Sequence, residues 1–245
     1  MPLYVYEKGQ PKKVPKKSGP KNQKRKKFVS LLFSIGGLVL VGNAVIPMIG
    51  YQFRYSNRFR GKMLSPVVQH RSRTLGSIAA SAHEDNPDYT MISSWFDETI
   101  ELDYQETPQV TDYRLSIPKL NIDDAWVQIG GEDLKKKLIH YQGTAMPGQL
   151  GNTVVFGHSV LPQFYNPKNY LTIFSTLHTL KSGDKIILNY DGIKYEYLIE
   201  KMFEVSPSDV SVLEQRYDGR YMTLITCSPP GTYLRRLIVK ARLAQ

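Results

Sequence analysis

Thr223–Arg236 reads Thr-Leu-Ile-Thr-Cys-Ser-Pro-Pro-Gly-Thr-Tyr-Leu-Arg-Arg, and the fold prediction for the chain starts from it. The apolar, β-branched run Tyr221–Thr226 predicts a strand. Ser228–Gly231 ends that strand, because proline has no N–H to donate to a ladder and Pro-Gly favours a turn. A second strand begins at Arg235. If the two strands pair as a hairpin, the only cysteine, Cys227, faces an arginine at one end of a sheet.

A thiol beside a fixed cation is the arrangement that favours a thiolate nucleophile. The alternative interpretation makes Cys227 a buried core cysteine and the arginine a surface charge. The hairpin by itself leaves both interpretations open, so further motifs are needed to choose between them.

A second motif, Gly151–His158, is a predicted short strand that ends in Gly-His. A strand with Gly-His, then Thr-Leu-x-Thr-Cys, then an arginine nine residues after the cysteine resembles the sortases, which are cysteine transpeptidases of bacterial surfaces. The resemblance extends from Tyr113 to Val239, and its further matches follow in order at Arg114–Leu120, His140–Gly148 and Lys181–Ile186.

The resemblance implies a mostly β fold, a closed eight-stranded barrel with one or two short helices, and a catalytic set of His158, Cys227 and Arg236. Cys227 would form a thioacyl-enzyme, and His158 would exchange protons with the thiol and the leaving amine. Arg236 would donate to the substrate carbonyl as charge develops on its oxygen. Arg235 is the rival for that role. Strand alternation does not choose, because Leu237–Val239 is apolar on both faces, but the family's spacing selects Arg236.

By the same resemblance, the chain would be a membrane-anchored transpeptidase that cleaves a Leu-Pro-x-Thr-Gly-like sorting signal after Thr. Its partners would be surface proteins with a C-terminal sorting signal and an amine acceptor on the cell envelope or on another surface protein. The Cys-x-Pro-Pro-Gly-Thr tail looks more like the class D or E branches than class A. Two alternatives are a hydrolytic cysteine peptidase and a catalytically silent envelope-binding module.

The positive charge is concentrated in one part of the chain. Residues 1–49 carry ten Lys/Arg and one acid, Glu7, whereas the rest carries 22 basic and 21 acidic residues. The nearly neutral remainder has no electrostatic footprint for nucleic acid, so we expect no nucleic-acid partner. Residues 1–27 are expected to be a basic cytoplasmic tail.

Phe28–Ile49 has 22 residues without a charge, which is about the length that spans a bilayer. A cleaved signal peptide is the alternative, but signal h-regions are usually shorter, about 7–15 residues. We therefore predict an uncleaved, single-pass anchor over 28–49. Ten Lys/Arg precede it and four follow within about 20 residues, so the N-terminus should be cytoplasmic and the C-terminal part extracellular. A lone cysteine outside the cell is a candidate reactive thiol.

Residues 50–110 are predicted to be a juxtamembrane linker, and 111–245 the catalytic domain. Trp95-Phe96 precedes an acidic stretch that is either an exposed spacer or a segment that folds back on the domain. Asp85–Tyr89 does not match the Asp-Pro-aromatic lid of some pilus-building sortases, which weakens a pilin-polymerising role.

Alternation and turn residues predict the remaining elements of the catalytic domain. Strands are expected at Tyr113–Ile117, Ala125–Ile129, Thr153–Gly157, Lys185–Tyr190, Lys194–Met202, Tyr221–Cys227 and Arg235–Ala241. Asp191-Gly192 is a strong hairpin signal between two of them. Short helices are expected over Glu132–Ile139 and Tyr170–Leu180.

No group of histidines and cysteines in the sequence has zinc-ligand spacing. A Ca²⁺ site occurs in some sortases, but no acidic group here matches one. We therefore expect no metal and no cofactor. His140 precedes a Met-Pro-Gly turn, and we expect a structural hydrogen-bonding role for it rather than contact with substrate.

Overall fold

A computed structural model describes residues 9, 20–59, 88–95 and 110–244. The chain divides into two compact units, Met1–Val45 and Ile46–Gln245. A long helix, α1, covers Pro20–Tyr51. The helical stretch Lys27–Tyr55 is long and apolar enough to cross a membrane by length and composition. Its apolar side chains within Met1–Val45, such as Phe33 and Leu38, are exposed.

The second unit contains a closed barrel of eight strands, as predicted. The barrel order is β1-β2-β3-β4-β7-β8-β6-β5. Pairing is antiparallel except between β2 and β3 and between β4 and β7, which are parallel. The strands are β1 (Asp112–Ile117), β2 (Ile122–Ile129), β3 (Leu138–His140), β4 (Gly151–Phe156), β5 (Lys185–Tyr190), β6 (Ile193–Val205), β7 (Arg220–Ser228) and β8 (Arg235–Leu243).

Strands β4, β7 and β8 are buried on both faces. Leu224 belongs to the cluster that fills the barrel, whereas Ile225 and Cys227 belong to a second cluster on the outer face. Successive side chains of a strand point to opposite faces, which explains this division. Strands with two covered faces are apolar at nearly every position, and for this reason the sequences of these strands show no alternation of polar and apolar residues.

Three aromatic residues from before β1 are buried in these clusters. Tyr51 and Phe59 join the inner cluster, and Trp95 joins the outer cluster. All three lie within 50–110, the range expected to be a linker. The domain boundaries themselves remain a prediction.

The hairpin predicted at Asp191-Gly192 is confirmed. Tyr190 pairs with Ile193, and the two turn residues have φ of 49° and 73°. Positive φ at both positions is the geometry of a type I′ turn, which suits Asp-Gly.

The helix predicted over Glu132–Ile139 is wrong. Turns occupy its first part, and Leu138–His140 forms β3 between β2 and β4. Tyr170–Leu180 is also not an α-helix but a series of turns that ends in the 3₁₀ turn Leu177–Thr179. The apolar side chains of that stretch recur every three residues, which matches the 3.0-residue turn of a 3₁₀ helix better than the 3.6-residue α-helix.

Candidate active site

The barrel brings the three candidate residues to one place through the neighbours of β7. Along the parallel pair β4–β7, Phe156 is level with Ile225, so the next residues of both strands leave the sheet side by side. The Gly157 carbonyl accepts from Thr226 Oγ1 at 2.8 Å, and the Cys227 carbonyl accepts from Ser159 Oγ at 3.1 Å. His158 therefore lies in a segment bonded to the cysteine strand.

On the other side of β7, the antiparallel pair β7–β8 sets the position of the arginine. Cys227 is the direct partner of Arg236, and Ser228 is the partner of Arg235. Cys227 and Arg236 are each 1% exposed, whereas Arg235 is exposed. Of the two neighbouring arginines, Arg236 is thus the one beside the thiol.

The glycine of the Gly-His motif is required by packing. A Cβ added at Gly157 would lie 2.3 Å from the Phe174 ring and 2.7 Å from Leu138. Neither position can move freely, because both side chains are fully buried. Gly157 thus lets the end of β4 pass close to these side chains, and the chain then delivers His158.

The imidazole of His158 is oriented by a backbone carbonyl. Its Nδ1 lies 2.7 Å from the Leu171 carbonyl oxygen, which can only accept, so Nδ1 carries the proton. In the neutral ring this leaves the lone pair on Nε2, the form that a proton-accepting imidazole needs. The irregular turn after Asn169, predicted as a helix, thereby supplies the orienting group.

Burial holds the site in its neutral form. Burial raises the pKa of the Cys227 thiol to about 12, and the Arg236 charge acts in the opposite direction. Burial also lowers the pKa of His158, which is 5% exposed, against the effect of its bond to Leu171. A neutral thiol and a neutral imidazole are therefore the resting state of the covered site at neutral pH.

The cover is a short piece of chain that precedes the barrel, Asp88–Trp95, called here the cover segment. Its backbone pairs with the loop before β3, where Met91 bridges to Asp133 and Leu134 donates to the Thr90 carbonyl. The Tyr89 ring stacks on Tyr233 with centroids 3.9 Å apart. These contacts seat the segment over the outer face of the barrel.

Trp95 ends the described part of this segment and covers the arginine. Its side chain is fully buried, edge-on to Phe156 at 5.6 Å, with the Arg236 guanidinium 5.2 Å from a ring centroid. Arg236 donates to the Trp95 carbonyl from Nε at 3.1 Å and from Nη2 at 2.6 Å. Two Arg236 donors are thus bonded to a peptide carbonyl. This carbonyl is the same kind of acceptor as the substrate carbonyl that Arg236 is expected to bind.

Trp95 itself packs on the barrel. The acidic stretch after it, for which a spacer and a fold-back were the alternatives, lies outside the described residues. The sequence contained no signal for the Leu171 and Trp95 carbonyls, because any residue type supplies a carbonyl. It also gave no role to Ser159.

His140 lies on the inner side of the barrel, away from this site. Its Nδ1 is 3.0 Å from Tyr113 Oη, and its Nε2 is 3.0 Å from Thr144 Oγ1. Its partners are those expected of a structural residue. Among the described residues, no group of three His, Cys, Asp or Glu side chains could hold a metal ion. The expectation of no cofactor stays a prediction.

Residues 115–244, which include all three candidate residues, match the family described as Sortase domain. Sortase A of Bacillus anthracis is 26% identical over 216 residues, which span 87% of this chain and 91% of that protein. Sortase D of Bacillus subtilis is 28% identical over 118 residues, 47% of this chain and 53% of that protein. Among solved structures, sortase C-1 of Actinomyces oris superposes with a TM-score of 0.50 at 26% identity, over 57% of this chain and 77% of that one.

Proposed function

Since this chain belongs to the sortase family of cysteine transpeptidases, we propose that it cleaves a Leu-Pro-x-Thr-Gly-like sorting signal and joins the product to an amine. The substrates are surface proteins with that signal at their C-terminus. The acceptor is an amine on the cell envelope or on another surface protein. The pairing of Cys227 with Arg236 across β7–β8, beside the segment that carries His158, is the observation that supports the proposal.

In the first step, His158 takes the Cys227 thiol proton on Nε2, and the resulting thiolate attacks the Thr carbonyl carbon of the Thr-Gly bond. Arg236 donates to the carbonyl oxygen as it gains negative charge, an interaction that contributes most in a dry site. The C–N bond then breaks, His158 gives its proton to the leaving amine, and a thioester to Cys227 remains. In the second step, the acceptor amine attacks the thioester, His158 takes the amine proton, and the thiolate leaves.

The cover segment has to move for this reaction to start. The Trp95 carbonyl is bonded to the arginine donors that would receive the substrate carbonyl. Water or substrate that replaces the segment also reduces the burial that keeps the thiol protonated. Displacement of the segment therefore exposes the nucleophile and makes the donors available in the same motion.

We also propose that the enzyme is anchored in the cell membrane by one helix, with the N-terminus in the cytoplasm and the barrel outside. The support is the apolar stretch Lys27–Tyr55 and the excess of Lys/Arg before it. Residues 1–27 are then the cytoplasmic tail. Such an anchor would hold the site next to the envelope amines.

The test is acyl-enzyme formation by the full chain in detergent, with a library of peptides that contain Leu-Pro-x-Thr-Gly. We expect an intact-mass increase equal to the peptide fragment that ends in Thr, and no increase in Cys227→Ala. With triglycine added, the released product should carry the amine, whereas a hydrolytic peptidase would release the free acid in both conditions. A protein that gives no adduct with any peptide would contradict the sorting-signal proposal.

A further inference from the structure

Tyr51, the last residue of α1, is packed into the barrel although it comes 61 positions before the first strand. It lies in the same compact unit as the barrel and is 4% exposed. Its ring meets His178 edge-on with centroids 5.0 Å apart, and Tyr55 stacks beside it at 5.6 Å. The helix end is thus part of the inner cluster.

The Tyr51 hydroxyl completes a triangle of hydrogen-bonding groups. It donates to the Glu204 carboxylate at 2.8 Å and lies 2.7 Å from Ser228 Oγ. Ser228 Oγ donates to the same carboxylate oxygen at 2.5 Å. Each hydroxyl has one proton and the carboxylate only accepts, so two of the three contacts are hydrogen bonds at any time. Bonds to a charged acceptor are the stronger kind.

This triangle lies on the face of β7 opposite the nucleophile. Ser228 follows Cys227 directly, so their side chains point to opposite faces of the strand. Ser228 is also the partner of Arg235, next to the Cys227–Arg236 pair. The network therefore holds the last residue of β7 from inside the barrel while the thiol and guanidinium face outward.

We infer that Tyr51 is a positioning residue: its hydroxyl fixes the end of β7 through Ser228 and so holds Cys227 in register with Arg236. The predicted effect of Tyr51 on turnover rests on the proposed function. The predicted effect of Tyr51 on the exposure of the Cys227 thiol does not. The end of the anchor helix is accordingly a working part of the catalytic unit and not only its tether.

Tyr51→Phe tests this, because it removes the hydroxyl and keeps the ring. Tyr55→Phe is the matched control, since its ring stacks in the same cluster and, within the described residues, the structure gives no hydrogen bond for its hydroxyl. The full chain in detergent is alkylated with iodoacetamide, and kcat and KM are measured for transfer of the best Leu-Pro-x-Thr-Gly peptide to triglycine. The melting temperature of each variant is measured as well, and all rates are compared at a temperature where every variant is folded.

We expect Tyr51→Phe to alkylate faster, because a loosened strand end exposes the buried thiol, and to lose about tenfold in kcat at nearly unchanged KM. Tyr55→Phe should match the wild type in all three quantities. Ser228→Ala should resemble Tyr51→Phe, and the double variant should be less impaired than the product of the two single effects predicts, because both act through one network.

Wild-type alkylation and kcat in Tyr51→Phe, or independent effects of the two substitutions, would overturn the inference. A failure of the proposed function looks different. In that case no peptide acylates the wild-type protein, while the alkylation rates of Tyr51→Phe and Tyr55→Phe still differ as expected.

Discussion

Cys227 and Arg236 are directly opposed residues of the antiparallel β7–β8 pair, and both are buried on the outer face of the barrel, where Arg236 donates to the Trp95 carbonyl. Opposed residues of such a pair have Cβ atoms about 4.5–5.5 Å apart. The two residues are nine positions apart in the sequence because the β7–β8 hairpin pairs them in this register. Insertion of one residue in the loop would keep both side chains, but a shift in the β7–β8 register would separate Cys227 from Arg236.

The two arginines at the start of β8 should have different effects on turnover. Arg236→Lys keeps the charge but loses the planar set of donors, so we expect a loss of about 10²–10³ in kcat. Arg235→Lys is the control and should be near wild type, because Arg235 is exposed and faces Ser228. Acyl-enzyme formation under single-turnover conditions measures both. Equal losses in the two variants would show that the register does not assign the role.

Proton transfer by His158 should be separable from nucleophilic attack. His158→Ala should lower turnover by about 10²–10⁴, the usual contribution of a placed acid–base group, and still allow alkylation of Cys227. Cys227→Ala should abolish the adduct, since the chain has no other thiol. Rates of acylation and of thiol alkylation on the same preparations make the comparison. An unchanged acylation rate in His158→Ala would assign the proton transfer to another group.

Removal of the Trp95 side chain should make Cys227 more acidic. Burial is the main cause of its raised pKa, so Trp95→Ala should move the alkylation–pH profile to lower pH and increase the rate near pH 7. Ser93→Ala, an exposed position of the cover segment, is the control and should leave the profile in place. A profile that does not move in Trp95→Ala would mean that the barrel alone keeps the thiol neutral.

The barrel should lose stability in mild acid because of His140. Burial lowers the pKa of His140 to about 4, whereas an unfolded histidine titrates near 6.5. The unfolded state thus binds more protons between these values, so this contribution is complete above pH 6.5 and is lost as the pH falls toward 4. The slope approaches about 1.4 kcal/mol per pH unit for one proton.

Urea unfolding between pH 7.5 and 4 measures that slope. His140→Gln should be less stable at pH 7 but should show a shallower pH dependence, because it removes the titrating group. His178, whose pKa burial also lowers to about 4, keeps its own contribution in both proteins. Equal slopes for wild type and His140→Gln would contradict the assignment.

A fragment of residues 111–245 should fold but should be less stable than one of residues 88–245. The longer fragment keeps Trp95, and loss of a buried tryptophan side chain typically costs about 3–5 kcal/mol. Denaturant midpoints of the two fragments give the difference. Identical midpoints would show that the cover segment contributes no net stability to the barrel.

The hairpins and the site strands could be predicted from the sequence because their signals are local. Asp191-Gly192 favours its turn because both residues tolerate positive φ, and the β-branched run before Cys227 favours a strand. The helix prediction over Glu132–Ile139 failed because the structure of that stretch depends on non-local pairing. Residues 138–140 pair with β2 and β4, so their conformation depends on neighbours that the local pattern does not contain.

The contacts of Trp95 and Tyr51 could not be predicted from local sequence patterns, because their partners are far away in the sequence. The Trp95 carbonyl meets Arg236 across 141 positions, and Tyr51 meets Ser228 across 177. Short motifs hold no information on such pairs. The Gly-His and Thr-Leu-x-Thr-Cys motifs lie at the ends of the adjacent strands β4 and β7, so strand order alone brings His158 and Cys227 close together. Their catalytic roles stay a prediction.

The burial of Cys227 also protects the thiol from oxidation. Oxidation of cysteine to sulfenic and higher acids requires an exposed thiolate, and beyond the first stage it is irreversible without dedicated repair. A thiol that is 1% exposed, with a pKa of about 12, offers oxidants neither access nor the reactive form. Burial thus protects the single cysteine from oxidation while the site is covered, and the period of vulnerability shortens to the time that the site is open.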